Sequence, residues 1–133
     1  MNSPVTDPKL KDFIERYVQA GNFDTPDVEL EFLADPVIEY FGASGLTHAE
    51  IRADREAYIK KWPTRKYSLE GPPQLLGKAG SDVFVVLAVI RYEVVNDKAT
   101  PPKRLNGISR SIYRVKAVGT DFKINSVMEA KQQ

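Results

Sequence analysis

The chain has 133 residues, 42% hydrophobic and 28% charged, with 19 Lys and Arg against 18 Asp and Glu. This is the composition of one soluble globular domain over residues 1–133, long enough to bury a core. Its near balance of charge makes no field to gather nucleic acid or an anionic membrane, and the absence of cysteine excludes disulfides, thiolate catalysis and Cys-ligated metal centres.

The longest apolar run, Val83 to Ile90, is far too short to span a bilayer. The opening "MNSPVTDPKL" has no basic stretch followed by an apolar one, so no signal peptide is predicted; the compartment, cytoplasmic or exported, stays open.

In chain order, "DPKLKDFIERYVQAGN" predicts a helix with Asp7 as N-cap, Pro8 at its first position and Gly21 as its stop. Leu10, Phe13, Ile14, Tyr17 and Val18 fall on one apolar face. "DTPDVELEFLADP" predicts a shorter helix, capped by Thr25 and started by Pro26, with Asp27 and Glu29 at the positive end of its dipole and Asp35-Pro36 closing it. "VIEYF" reads as a strand and "GASG" as a turn. Thr47 and Glu50 have capping-box spacing at the head of a helix from His48 to about Lys61, which must end before Pro63.

The period then changes. Strands are predicted at "RKYSLEG" and over "SDVFVVLAVIRYEVV", "RLNGISRSIYRVKAV" and "FKINSVMEA", with "PPQLLGK" as an irregular or short strand, "NDKATPPK" as a hairpin loop and "GTD" as a turn. Three helices interleaved with one strand, then a run of antiparallel strands, make an α+β domain with helices on one face of a curved sheet. Along residues 104–117 one face carries Arg104, Ile108, Arg110, Ile112, Arg114 and Lys116; this face is predicted to point outward, because so many cations are costly to bury. The other carries Leu105, Gly107, Ser109, Ser111, Tyr113 and Val115, whose small members leave room for a cavity under the helices.

The stretch "ADPVIEYFGASGLTHAEIRADREAYIKKWPTRKYSLEG" resembles the nuclear transport factor 2-like, or SnoaL-like, superfamily, in particular a bacterial branch made up mostly of uncharacterised domains. The matching positions are Asp35, Val37, Tyr40, Phe41, Gly42, Asp54, Arg55, Trp62 and Pro63, followed by the small residues Gly107 to Ser109 and then "DFKINSV". The resemblance covers about residues 8–130 and agrees with the order of elements read from periodicity. It implies a cone: a strongly bent antiparallel sheet packed on three N-terminal helices, with a pocket at the open end, as in cystatin-like folds. Some relatives are ketosteroid isomerases, dehydratases or polyketide cyclases; others are binding modules, dimerisation domains or accessory domains. One fold hosts many functions, so the resemblance alone assigns none.

The sole histidine, His48, stands at the first position of a capped helix and is read as an exposed first-turn residue. With one histidine and no cysteine, no metal site, no cofactor and no catalytic residue is assigned. An enzyme of the isomerase, dehydratase or cyclase kind would use Glu39, Asp54 or Glu93 as general base; their other reading is as partners for arginine or as solvated groups. Tyr40, Arg55, Tyr58, Trp62, Glu93 and Tyr113 are the expected ligand-binding residues, between the third helix and the inner sheet face. The readings are a non-catalytic domain for an unidentified small molecule, an enzyme with a pocket carboxylate, and an interaction or dimerisation module. Homodimerisation would use the face bearing Ile108, Arg110, Ile112 and Arg114; no nucleic-acid or membrane partner is expected. Arg55 shares a helix face with Ile51, Tyr58 and Trp62 and must find a carboxylate if buried, with Glu39 or Glu93 expected.

Overall fold

Asp7 and Pro8 start the first helix. In the computed structural model, which describes residues 3–130, the Asp7 carboxylate accepts from the Lys9 amide at 2.9 Å and helix α1 runs over Pro8–Ala20. Leu10, Ile14, Tyr17 and Val18 on its apolar face are buried, and Gly21 closes it. Helix α2 is only Asp27–Leu30, shorter than predicted. The reason is competition from the sheet. After two tight turn bonds, Phe32 N to Glu29 O and Leu33 N to Leu30 O at 3.1 Å, the Ile124 amide donates to Phe32 O and the Ala34 amide to Ile124 O, both at 2.8 Å, which draws the chain into strand-like pairing.

Strand β2 (Val37–Tyr40) turns back on itself where a turn over "GASG" was expected. The turn is Phe41-Gly42, with φ of +48° and +90°, and Ala43–Leu46 forms strand β3 antiparallel to β2. Two consecutive residues in the left-handed region make the tight hairpin geometry that matches strand twist. Helix α3 (His48–Lys61) has the full capping box: Glu50 N donates to Thr47 Oγ1 at 3.3 Å and Thr47 N to Glu50 Oε1 at 3.1 Å.

Strands β4 (Thr64–Leu69), β5 (Gln74–Lys78), β6 (Val83–Asn96), β7 (Lys103–Val118) and β8 (Asp121–Glu129) follow the predicted order. A two-residue strand β1 (Ser3–Pro4), which no sequence pattern announced, pairs with β5. The sheet order is β1-β5-β6-β7-β8-β2-β3, with β4 also on β6. The sheet is open and mixed rather than antiparallel throughout, because β2 joins β8 in parallel with Tyr40 opposite Val127. The class is α+β, as expected.

The faces of β7 separate as predicted. Ser111, Tyr113 and Val115 are buried inward, while Arg104, Arg114 and Lys116 are exposed outward. Leu105 belongs to the inner face but is 54% exposed. One hydrophobic cluster joins Leu10, Ile14 and Val18 of α1 to Leu33, Ile51, Val86, Val115 and Ile124. Helix α3 contributes its ends to burial: Ile51 is fully buried and Trp62, just past the last turn, is 6% exposed. The middle of α3 borders a cavity.

Candidate functional site

The cavity lies between α3 and the inner face of the sheet and has a volume of about 920 Å³. The chain has six tyrosines and one tryptophan, and all seven line it. Tyr17 comes from α1, Tyr40 from β2, Tyr58 and Trp62 from α3 and its end, Tyr67 from β4, Tyr92 from β6 and Tyr113 from β7. Of the six phenylalanines only Phe41 takes part. Aromatics with a polar tip are gathered here, while most of those without one lie elsewhere, as where Phe13 meets Phe32 edge to face and Phe122 at a tilt.

Strand alternation explains the choice. On β6, Tyr92 and Val94 line the cavity, so Glu93 between them is turned to the other face, in register with Asn106 and Lys66. Glu93 is therefore not a cavity residue, contrary to expectation. Glu39 also belongs to the outer side, opposite Ser126, which is itself opposite Arg114. The other expected residues, Tyr40, Arg55, Tyr58, Trp62 and Tyr113, all line the cavity.

Arg55 reaches inward and meets neither Glu39 nor Glu93. Its Nε donates to Glu29 Oε1 at 2.9 Å. The sequence presents Glu29 only as a dipole partner in the first turn of α2; the chain packs that short helix against α3 and leaves the Glu29 side chain 9% exposed, in the cavity wall. The Arg55 guanidinium carbon also sits 4.7 Å from the centroid of the Tyr58 ring. Burial opposes the charge on Arg55, but Glu29, joined by Tyr40 and Tyr67, more than offsets it, and the Arg55 pKa is raised. A second ion pair, Arg52 to Asp27, ties α3 to α2 on the exposed side.

The phenols on the floor are held protonated. Burial raises the pKa of Tyr17, Tyr40, Tyr67 and Tyr113 above the ordinary 10.0. Tyr17 and Tyr113 stand edge to face at 5.4 Å. The Tyr67 hydroxyl donates to the Tyr58 hydroxyl at 3.2 Å. Gly107 does not simply leave space: a Cβ there would lie 3.1 Å from the Tyr92 hydroxyl, so the missing side chain lets the Tyr92 ring lie over β7. Ser109 and Ser111 border the cavity itself.

Asp54, the remaining candidate base, lines the cavity but is exposed. His48 is half-buried rather than an exposed first-turn residue, and it lies outside the cavity. Its Nε2 is 2.9 Å from Leu33 O and 3.1 Å from Ala34 O, which requires a proton on Nε2, and its amide donates to Asp35 Oδ1 at 3.1 Å. It fastens the start of α3 to the segment before β2. Among the described residues, no group of three or more His, Asp or Glu is arranged to hold a metal ion, and no helix is long and apolar enough to cross a membrane.

A buried residue that sequence reasoning missed frames the other end of the site. The Arg65 side chain is 0% exposed and donates to Gly21 O at 3.2 Å, Trp62 O at 2.8 Å, Phe23 O at 2.7 Å and Asp24 Oδ1 at 2.9 Å. It joins the ends of α1 and α3 on β4. In "WPTRKYS" nothing distinguishes Arg65 from Lys66 except strand parity, with Tyr67 as the inward neighbour.

No family model matches the chain, and no curated protein matches it. Solved structures do. A nuclear transport factor 2-like superfamily protein from Salmonella enterica serovar Typhimurium superimposes with a TM-score of 0.76 at 12% identity, over 93% of this chain and 89% of that one. A candidate aromatic ring hydroxylase from Novosphingobium aromaticivorans gives 0.78 at 13% identity, over 94% and 87%. An uncharacterised protein with a cystatin-like fold from Caulobacter vibrioides gives 0.70 at 11% identity, over 94% and 88%. At these identities the likeness is one of fold, and the chain has the nuclear transport factor 2-like, cystatin-like fold.

Proposed function

We propose that the chain is a small-ligand-binding module whose ligand lies between α3 and the inner face of the sheet. The observation that carries this reading is the convergence of all six tyrosines and the one tryptophan, from six different elements, on a single cavity of about 920 Å³. Binding cavities combine a largely apolar wall with a few convergent polar groups. Here Val94, Val127 and Ile90 supply apolar wall, while phenols, Ser109 and Ser111 supply hydrogen-bonding groups.

The enzyme reading is weaker on a specific ground. A general base of the isomerase or cyclase kind is a carboxylate set unpaired in apolar surroundings. Among the described residues Glu29 is the buried carboxylate, and it is committed to Arg55 at 2.9 Å. Asp54 sits at the exposed rim. An arrangement of this kind positions a ligand without supplying a base to act on it.

Trp62 reports on the site because it is the sole tryptophan and forms part of the wall. Titration with Nile red, a neutral solvatochromic dye, should give saturable one-to-one binding with a blue-shifted emission and energy transfer from Trp62. Ser109→Phe, which fills the cavity from the sheet side, should abolish both. A linear, unsaturable response, or equal binding by Ser109→Phe, would rule out this function.

A further inference from the structure

The charges around the cavity decide what kind of ligand it takes, an inference that rests on the binding function just proposed. Four carboxylates line it, Glu29, Glu50, Asp54 and Glu129, against two cations, Arg55 and Lys61. Arg55 and Glu29 offset each other's charge through one contact at 2.9 Å, so the deep pair presents little net charge. What remains is Glu50, Asp54 and Glu129 against Lys61.

The placement of these groups is as telling as their number. Glu50, Asp54, Tyr58 and Trp62 follow one another at intervals of four along α3 and form one stripe facing the cavity. Each carboxylate therefore stands a turn away from another or from an aromatic ring. Glu129 faces them from the end of β8. Asp54 enters no ion pair among the described residues. Its charge is felt inside: burial is the main cause of the raised Tyr40 pKa, and the charges of Glu29 and then Asp54 add to it against the opposing effect of Arg55.

Aromatic ring faces attract cations, and phenolic oxygens can accept hydrogen bonds. The chain already uses one ring in this way, with the Arg55 guanidinium 4.7 Å from the Tyr58 centroid. We infer that the cavity is selective for an organic ammonium cation with an apolar body, held by the tyrosine and tryptophan walls and by the carboxylates of Asp54, Glu50 and Glu129. An anion would meet three carboxylates that no cation neutralises among the described residues, one of them Glu50 with its Oε1 held by Thr47, and only Lys61 as a cation outside an ion pair to receive it. Arg55 adds little attraction for an acidic ligand, since Glu29 offsets its charge.

Three probes of one shape and different charge test this: benzyltrimethylammonium, its neutral carbon isostere neopentylbenzene, and phenylmethanesulfonate. Each is titrated at low ionic strength against protein carrying Nile red, and displacement is read. The ammonium is expected to bind about tenfold more tightly than the neutral isostere, with the sulfonate weakest. Asp54→Asn, a change at an exposed side chain, should weaken the ammonium several-fold and leave neopentylbenzene unchanged. Added salt should weaken only the ammonium. If Nile red binds but the ammonium binds no better than its neutral isostere, or the sulfonate binds best, the cation inference is overturned and the binding function stands. The inference is equally overturned if Asp54→Asn weakens both probes alike. If Nile red itself fails to bind, both fall.

Discussion

Arg55 on α3 and Glu29 on α2 are joined by a 2.9 Å hydrogen-bonded ion pair whose side chains are 15% and 9% exposed. The two helices are otherwise short of mutual burial, because α2 has four residues and α3 buries mainly Ile51 along its length. Removing one partner leaves the other charged and desolvated. Arg55→Met is therefore expected to lose about 3–5 kcal/mol of stability, and Glu29→Leu a similar amount. The double variant Glu29→Leu with Arg55→Met should lose less than the sum, since no unpaired charge remains. Urea unfolding of the three variants measures this, and strictly additive losses would contradict a coupled pair.

Arg65 is the stronger case for a purely structural cation. Its side chain is fully buried and its donors go chiefly to backbone carbonyls, those of Gly21, Phe23 and Trp62. Lysine cannot reproduce that fork from a single ammonium. Arg65→Lys should destabilise the fold by about 2–4 kcal/mol. Asp24→Ala should change stability by less than about 1 kcal/mol, because Asp24 is exposed and holds only one of the four contacts. Thermal unfolding of both variants checks the contrast, and an equal loss from each would mean that the ion pair, not the carbonyl clamp, carries the effect.

The local chemistry of the chain was legible wherever a signal is short-range. Asp7 with Pro8, Thr47 with Glu50, and the inward and outward faces of β7 depend on residues within a few positions of one another. The cavity was legible in part, since helical spacing put Tyr58, Trp62 and Arg55 together and strand parity put Ser109, Ser111 and Tyr113 together. The partner of Arg55 was not. Glu29 and Arg55 meet across two helices, α2 and α3, that are 26 residues apart at this contact and are brought together by tertiary packing. The parallel pairing of β2 with β8 and the role of Arg65 are hidden for the same reason, as each is fixed by tertiary contact. Glu93 illustrates the opposite failure: parity against Tyr92 and Val94 would have placed it outside, and its charge drew attention instead.

The outer sheet face predicts association. Ile112 on β7, flanked on its face by Arg110 and Arg114, lies in register with Leu87 on β6 and Met128 on β8, and Ile108, 40% exposed, is two steps along the same face. We expect two copies to pair through this face in solution, burying on the order of 1,200–2,000 Å². Size exclusion coupled to light scattering should give a dimer, and Ile112→Asp should convert it to a folded monomer. A wild-type monomer at high micromolar concentration would refute the pairing.

The tyrosines give the protein a defined alkaline limit. Burial is the chief cause of the raised pKa at Tyr17, Tyr40, Tyr67 and Tyr113; the hydrogen bond to Tyr58 adds to it at Tyr67, and that with Ser111 subtracts from it at Tyr113. In each case the folded state holds a proton that the unfolded chain gives up near its ordinary value of 10.0. The stabilisation linked to these phenols is thus fully present below that value and is lost as pH rises through it toward the folded values. Every phenol so held steepens the decline by about 1.4 kcal/mol per pH unit. Urea midpoints should therefore be flat with respect to these groups up to about pH 9–10 and fall steeply above. In a phenolate absorbance titration these four should ionise together with alkaline unfolding, as one cooperative step. Ionisation of all six tyrosines near the ordinary value, with helical circular dichroism intact, would show that the cavity floor is open to water and that its phenols are not buried.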